Sequence, residues 1–120
     1  MPIASVAIVG AGLAGLACAK TLAAHGVAAR LLDKGRGPGG RLATRRIEAE
    51  GRAFAFDHGA QYVTARGPLF RATLEAVGAN PWTDPAHRVG VPRMSSIARA
   101  LAEGLNLGLG RHVTALAGGP

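Results

Sequence analysis

Residues 10–15 read GAGLAG, and they lie between an apolar segment and an apolar helix pattern. The segment 3–9 is short and rich in β-branched residues, which predicts a strand that is buried on both faces. Residues 13–25 favour a helix, and residues 27–33 favour a second strand. This order predicts a βαβ unit with a right-handed crossover and two parallel strands.

The three glycines of the turn have the spacing G-x-G-x-x-G, and each has a physical role. Gly10 allows the sharp turn, Gly12 lets the backbone approach a pyrophosphate, and Gly15 lets the helix pack against the strand. The helix N-terminus offers free N–H groups to that pyrophosphate. Asp33 follows at the spacing of a ribose-binding acid, and its charge disfavours a 2′-phosphate. We therefore predict a dinucleotide site; the alternative is a tight turn beside a solvated aspartate.

A second glycine-rich stretch, residues 34–41, follows Asp33 directly and reads KGRGPGGR. Its glycine pair would let the backbone lie along a diphosphate, and Arg36 and Arg41 would neutralise the phosphate oxygens. This stretch favours the longer cofactor FAD over an NAD-dependent dehydrogenase domain. A basic nucleic-acid-binding module at residues 34–46 ranks lower, because a diphosphate beside the turn already explains these charges.

Charge and cysteine content restrict the partners and the compartment. The chain carries 14 Lys and Arg against 7 Asp and Glu, a formal net charge of +7, which suits an anionic partner unless it reflects a G+C-rich genome. Cys18 is the only cysteine, so we expect a cytoplasmic protein with a thiol buried in the first helix. The apolar run 3–19 lacks a basic front and is broken by glycines, so we expect no signal peptide and no membrane span.

Beyond residue 41 the sequence predicts smaller elements. Each is inferred from apolar spacing and from its turn or cap residues. They are a hairpin over 45–50 and 53–56 that turns at Gly51 and Arg52, a helix over 68–77 with an Arg71–Glu75 ion pair, an irregular segment 79–93, a helix carrying Ile97 to Leu105 and capped by Ser95 or Ser96, and a last strand over 112–116.

Two stretches carry a family resemblance. Residues 6–46, VAIVGAGLAGLACAKTLAAHGVAARLLDKGRGPGGRLATRR, resemble the N-terminus of the FAD-dependent amine oxidase superfamily. Residues 56–66, FDHGAQYVTAR, are similar to the renalase-like branch of that superfamily. The resemblance covers residues 3 to about 75 and resumes over residues 89–116.

The resemblance implies a set of FAD contacts. The glycine turn would meet the pyrophosphate, the acid the adenosine ribose, and the basic residues after it the adenosine side. Later residues would follow the ribityl-diphosphate, the flavin ring and the adenine. The implied cofactor-binding residues are Gly10, Ala11, Gly12, Leu13, Ala14, Gly15, Asp33, Lys34, Arg36, Gly40, Arg41, Leu42, His58, Gly59, Ala60, Gln61, Tyr62 and Val113.

The resemblance also implies a fold and a domain organisation. We expect an α/β fold: a Rossmann-like FAD-binding βαβ domain with a parallel sheet, plus a small hairpin and helices from an incomplete second domain. Residues 1–66 would bind FAD, residues 67–93 would be a remnant of the substrate domain or a connection, and residues 94–120 would return to the FAD-binding domain. Family members are about two to three times longer than a single domain of this size, so we expect a fragment.

The implied activity is that of a flavin oxidoreductase. A small substrate, such as a dihydro-NAD(P) isomer or an amine, would transfer hydride to FAD, and O2 would take the electrons. A catalytically inactive FAD- or dinucleotide-binding fragment is the alternative. Asp57–His58 is expected to be a turn pair that orients its loop, and His58 as an acid, base or attachment point is the second interpretation. No catalytic residue is assigned, no metal site is expected, and the oligomeric state stays open.

Overall fold

The computed structural model describes residues 2–119. The elements are, in chain order, β1 (Ser5–Val9), α1 (Leu13–Ala24), β2 (Ala28–Leu32), a 3-10 turn (Gly40–Leu42), β3 (Thr44–Ala49), β4 (Arg52–Asp57), β5 (Val63–Thr64), α2 (Pro68–Ala76), β6 (Asn80–Pro81), β7 (His87–Val89), α3 (Ser95–Ala102) and β8 (Asn106–Gly108). Three sheets result, one parallel and two antiparallel. The predicted α/β class is confirmed.

β1, β2 and β8 form a three-stranded parallel sheet in the order β1-β2-β8. The strands β1 and β2 are joined by α1, so the predicted βαβ unit is confirmed. Its buried side packs Leu16 of α1 and Leu31 of β2, both fully buried. The prediction that β1 is buried on both faces is wrong: its residues alternate in burial, and Val9 is 60% exposed. The alternation arises because the helices of residues 2–119 cover only one face of this sheet.

The hairpin β3–β4 turns one residue earlier than predicted. Glu50 and Gly51 occupy the turn with φ of 51° and 72°, which is the left-handed pair that a tight hairpin requires. The prediction placed the turn at Gly51 and Arg52, but Arg52 is the first residue of β4 and pairs with Ala49. Nearly every residue of the hairpin is exposed, so its register follows from the turn rather than from burial.

The segment 79–93 is not irregular throughout, as predicted, because it contributes β6 and β7 to the antiparallel sheet β5-β7-β6. Strands of two or three residues have no periodicity from which a sequence could reveal them. The expected Arg71–Glu75 ion pair is also wrong. Glu75 instead binds the buried Arg88 of β7, with 2.8 Å between Nη2 and Oε1, and Arg71 donates to the carbonyl of Ala65.

The helix α3 is shorter than its apolar spacing predicted and ends at Ala102. Ile97, Ala98 and Leu101 are buried in the core. Neither predicted serine caps the helix: Met94 occupies the N-cap position, and no side chain of its own helix caps it. Ser95 is itself helical, and its hydroxyl donates a hydrogen bond to Thr44 Oγ1 at 2.9 Å, because Thr44 gives its own proton to the Asp57 carboxylate.

The third strand of the parallel sheet is Asn106–Gly108, and residues 112–116 are not in a strand as predicted. Leu107 pairs with Leu31 of the central strand. The chain then turns at Gly110, and the Arg111 N–H donates to the Asp33 carbonyl at 2.8 Å. The residues that follow therefore leave the sheet at its carboxyl edge, despite their alternating pattern.

Two surface features complete the description. Cys18 is exposed on α1, so the expected buried thiol is wrong; the side of α1 that bears it is not covered by the described residues. Within residues 2–119, no helix is long and apolar enough to span a membrane. The predicted division at residues 66 and 93 stays a prediction, although β5 and β7 pair across its first boundary.

Candidate functional site

The glycine turn joins β1 to α1 at the carboxyl edge of the parallel sheet. Gly10 has φ of 104°, a conformation that favours glycine, and its N–H donates to the Leu32 carbonyl at 2.8 Å. A Cβ on Gly15 would overlap the carbonyl oxygen of Gly10, so α1 lies as close to the strand as its backbone allows. A Cβ on Gly12 would meet no protein atom, and the space beside it is open to a ligand.

The N-terminus of α1 lacks a cap from the protein. Its first turn contains no acidic residue, and no side chain caps it. The first hydrogen bond of the helix is donated by the backbone N–H of Leu16 to the Gly12 carbonyl, at 3.0 Å. The earlier N–H groups of a helix have no acceptor within it. This end of α1 therefore presents unsatisfied donors and a partial positive charge.

Asp33 lies directly after β2 and connects the glycine turn to the second loop. Its Oδ2 accepts the N–H of Ala11 at 2.7 Å, and its Oδ1 accepts the N–H of Gly35 at 2.7 Å. A carboxylate oxygen has two lone pairs, so each oxygen can still accept a ribose hydroxyl. The half-buried carboxylate thus both orders the turn and faces the cleft beside it.

The second glycine stretch lies against the first. Gly39 pairs with Gly12 in an isolated parallel bridge, and its N–H donates to the Ala11 carbonyl at 2.8 Å. A Cβ on Gly40 would lie 3.3 Å from the Gly12 Cα. Two glycine-rich segments that are far apart in sequence therefore form one continuous backbone surface.

A groove of about 810 Å³ starts at this surface and runs along α1. Its walls combine the glycine backbone with apolar side chains, which suits a cofactor with a diphosphate and a flat ring. Eight predicted residues line it: Gly12, Leu13, Ala14, Gly40, Arg41, Leu42, Ala60 and Tyr62. Sequence reasoning missed Ala17, Val63, Thr64 and Phe70 as lining residues, whereas Gly39 belongs to the glycine pair that it placed along the diphosphate. The apolar spacing of α2 was the only signal for Phe70.

A smaller cleft of about 340 Å³ lies at the carboxyl ends of β1 and β2. Gly40 lines both the groove and the cleft, so the two are adjacent. Five predicted residues line the cleft: Gly10, Asp33, Lys34, Gly40 and Val113. Arg111 and His112 were missed, because only the turn after β8 brings them to this edge.

The remaining predicted residues line neither cavity. Ala11 is fully buried and acts through its N–H on Asp33, while Gly15 packs against the turn. Exposed positions outside both cavities are occupied by Arg36, His58, Gly59 and Gln61. Their roles as cofactor contacts stay predictions. Among residues 2–119, no group of three His, Cys, Asp or Glu side chains is placed to hold a metal ion.

An aromatic cluster borders the groove at Tyr62. Its ring centroid lies 5.4 Å from that of Trp82 and 4.8 Å from that of His87. His87 Nδ1 is 2.6 Å from Asp84 Oδ2, and the hydrogen bond from His87 lowers the pKa of the Asp84 carboxyl. The turn between β6 and β7 thus supports the side chain that forms one wall of the groove.

Comparison with known proteins gives a family match and several partial relatives. The model of the NAD(P)-binding Rossmann-like domain family matches residues 8–77. Lysine-specific histone demethylase 1 homolog 3 of Oryza sativa subsp. indica is 43% identical over 60 residues, which are 50% of this chain and 7% of that protein. Protein FLOWERING LOCUS D of Arabidopsis thaliana is also 43% identical over 60 residues, with 50% and 8% covered. The chain spans less than a tenth of the length of these relatives.

A solved structure shows the same relationship. Wild-type putrescine oxidase bound to putrescine matches with a TM-score of 0.50 and 32% sequence identity, over 63% of this chain and 16% of that chain. These matches confirm the predicted Rossmann-like fold, the predicted FAD-dependent amine oxidase superfamily and, with it, the FAD cofactor.

Proposed function

We propose that this chain, which belongs to the NAD(P)-binding Rossmann-like domain family, is the FAD-holding part of a renalase-like flavin oxidoreductase. The observation that carries the proposal is the joining of the two glycine segments beside the free N-terminus of α1. A plain NAD site needs only the first segment. The second segment extends the phosphate-binding surface toward an apolar groove.

The residues that line the groove and the cleft suit the separate parts of FAD. The open backbone at Gly12 and the helix N-terminus suit the pyrophosphate. Asp33 would accept the ribose hydroxyls in the smaller cleft, beside Val113. Arg41 would face the diphosphate, and Tyr62 would lie beside the ring.

Bound FAD would supply the chemistry by accepting a hydride from the substrate and passing two electrons to O2. The side chains of this chain bind and shield rather than transfer protons. Leu13, Leu42 and Phe70 give the groove apolar walls, against which the flavin ring would pack. His58 is exposed and lines neither cavity, which supports its interpretation as part of a turn.

The substrate we propose is a dihydro-NAD(P) isomer or a small amine. Anaerobic mixing of the FAD-loaded protein with each compound tests this, with loss of the visible flavin absorbance as the readout. Bleaching by one class and recovery of colour on admission of air support the oxidoreductase. A protein that binds FAD but is bleached by neither class would instead be a cofactor-binding fragment without turnover.

A further inference from the structure

The loop 58–62 forms one wall of the groove through Ala60 and Tyr62. It connects the exposed hairpin β3–β4 to β5, and neither neighbour is a large buried element. His58, Gly59, Gln61 and Tyr62 are exposed, and Ala60 is half-buried. The position of this wall therefore depends on a few specific attachments.

The first attachment is Asp57, the last residue of β4. Its Oδ1 accepts the hydroxyl of Thr44 at 2.7 Å, and both carboxylate oxygens lie 3.2 Å from the Met94 N–H. Met94 is the N-cap residue of α3, which has no cap from its own side chains. Asp57 thus supplies a charge-assisted acceptor to the start of a buried helix and ties the hairpin to the core.

The second attachment lies at Gly59 and Ala60, two and three residues after Asp57. The Ala60 N–H donates to the Arg41 carbonyl at 2.8 Å. A Cβ on Gly59 would overlap that same carbonyl oxygen, so only glycine lets the loop approach it. This contact joins the loop to the second glycine stretch, whose residues line the opposite part of the groove.

We propose that Asp57 and Gly59 are positioning residues that fix the groove wall for the flavin ring, without touching the cofactor themselves. The expected effect on FAD binding rests on the proposed function, whereas the geometry of the two attachments does not. The two attachments lie within four residues of each other, so release of either one loosens the hold on Ala60. Loss of a charge-assisted hydrogen bond changes such an opening equilibrium by about tenfold or more.

Amide hydrogen exchange of the FAD-free protein tests the geometry alone. Asp57→Ala should accelerate exchange about tenfold at the amides of both Met94 and Ala60. Asp57→Asn retains one acceptor oxygen and should give a smaller change in the same direction; it also serves if the alanine variant does not fold. Glu48→Gln, an exposed carboxylate change on β3, should alter neither amide. If Met94 alone exchanges faster, Asp57 is only a helix cap and the proposal is overturned.

Gly59→Ala tests the second attachment in the same way. It should accelerate exchange at Ala60 and leave Met94 unchanged, whereas Gly67→Ala, whose Cβ would enter open space, should change neither. An unaltered Ala60 amide in Gly59→Ala would overturn the proposal.

Titration with FAD then tests the functional consequence. Asp57→Ala and Gly59→Ala should each raise the dissociation constant for FAD about tenfold, and the two controls should bind as the unaltered protein does. Leu105→Ala, which removes a contact with the core outside the groove, should lower the melting temperature without changing the absorbance band shape of bound FAD. Faster exchange with unchanged FAD affinity would overturn the positioning role. Failure of the unaltered protein to bind FAD would instead overturn the proposed function and leave the exchange result standing.

Discussion

Replacement of Asp33 by asparagine separates the two roles of this side chain. Its two carboxylate oxygens accept different backbone N–H groups, those of Ala11 and Gly35, each at 2.7 Å. An asparagine has only one acceptor oxygen, and its NH2 group is a donor. Whichever way the amide is oriented, Asp33→Asn leaves one backbone N–H without its acceptor and facing another donor.

The loss of one hydrogen-bond acceptor sets the expected loss of stability. A hydrogen bond to a charged group contributes about 1.5–3 kcal/mol, and the partial exposure of Asp33 reduces the loss to about 1–2 kcal/mol. For a domain of this size, such a loss lowers the melting temperature by about 4–8 °C. Asp33→Asn also removes the charge that the ribose hydroxyls would meet, so the dissociation constant for FAD should rise about tenfold.

Thermal unfolding followed by circular dichroism, and calorimetric titration with FAD, measure the two effects separately. Glu48→Gln is the matched control, because it removes an exposed carboxylate remote from the cleft. Asp33→Ala, which removes both acceptors, should be less stable than Asp33→Asn. An Asp33→Asn protein that melts and binds FAD like the unaltered chain would refute the assigned role of this carboxylate.

One further variant tests the packing of the glycine turn at the start of α1, and another tests the turn between β6 and β7. Gly15→Ala should lower the free energy of unfolding by about 1–3 kcal/mol, because its Cβ would overlap the Gly10 carbonyl oxygen. Urea unfolding measures this loss, with Gly67→Ala as the control. Equal unfolding midpoints for Gly15→Ala and the unaltered protein would count against it. The folded-state pKa of Asp84 lies below its ordinary value of 3.8 because His87 donates a hydrogen bond to the carboxylate. The stabilisation by ionised Asp84 is therefore present above about pH 4 and is lost as the pH falls through the lowered pKa. Asp84→Asn should therefore show a shallower fall in melting temperature between about pH 5 and pH 2 than the unaltered protein, and equal slopes would contradict this.

The sequence predicted the βαβ unit well, because each requirement of that unit is local. The pairing of Gly15 with Gly10 and the position of Asp33 at the end of β2 follow from steric and chemical needs within one motif. The hydrogen bond from Ala11 to Asp33 could not be predicted in detail, since it joins residues 22 positions apart through the tertiary fold.

Elements that depend on tertiary pairing were predicted less well. β8 is only three residues long and follows directly on the apolar spacing of α3, and it forms because residues 106–108 lie beside the open edge of β2. Glu75 has two arginines within reach, and the choice of Arg88 over Arg71 depends on the pairing of β7 with β5. The groove shows the same division: its glycine surface is visible in the sequence, whereas Phe70 joins it only through the packing of α2.

Calorimetric titration of the purified chain with FAD and with NAD⁺ tests the central claim most directly. The adjoining groove and cleft predict saturable binding of one FAD per chain, clearly tighter than that of NAD⁺, because only FAD would occupy both cavities. Equal affinity for the two dinucleotides, or no binding of FAD, would contradict the account.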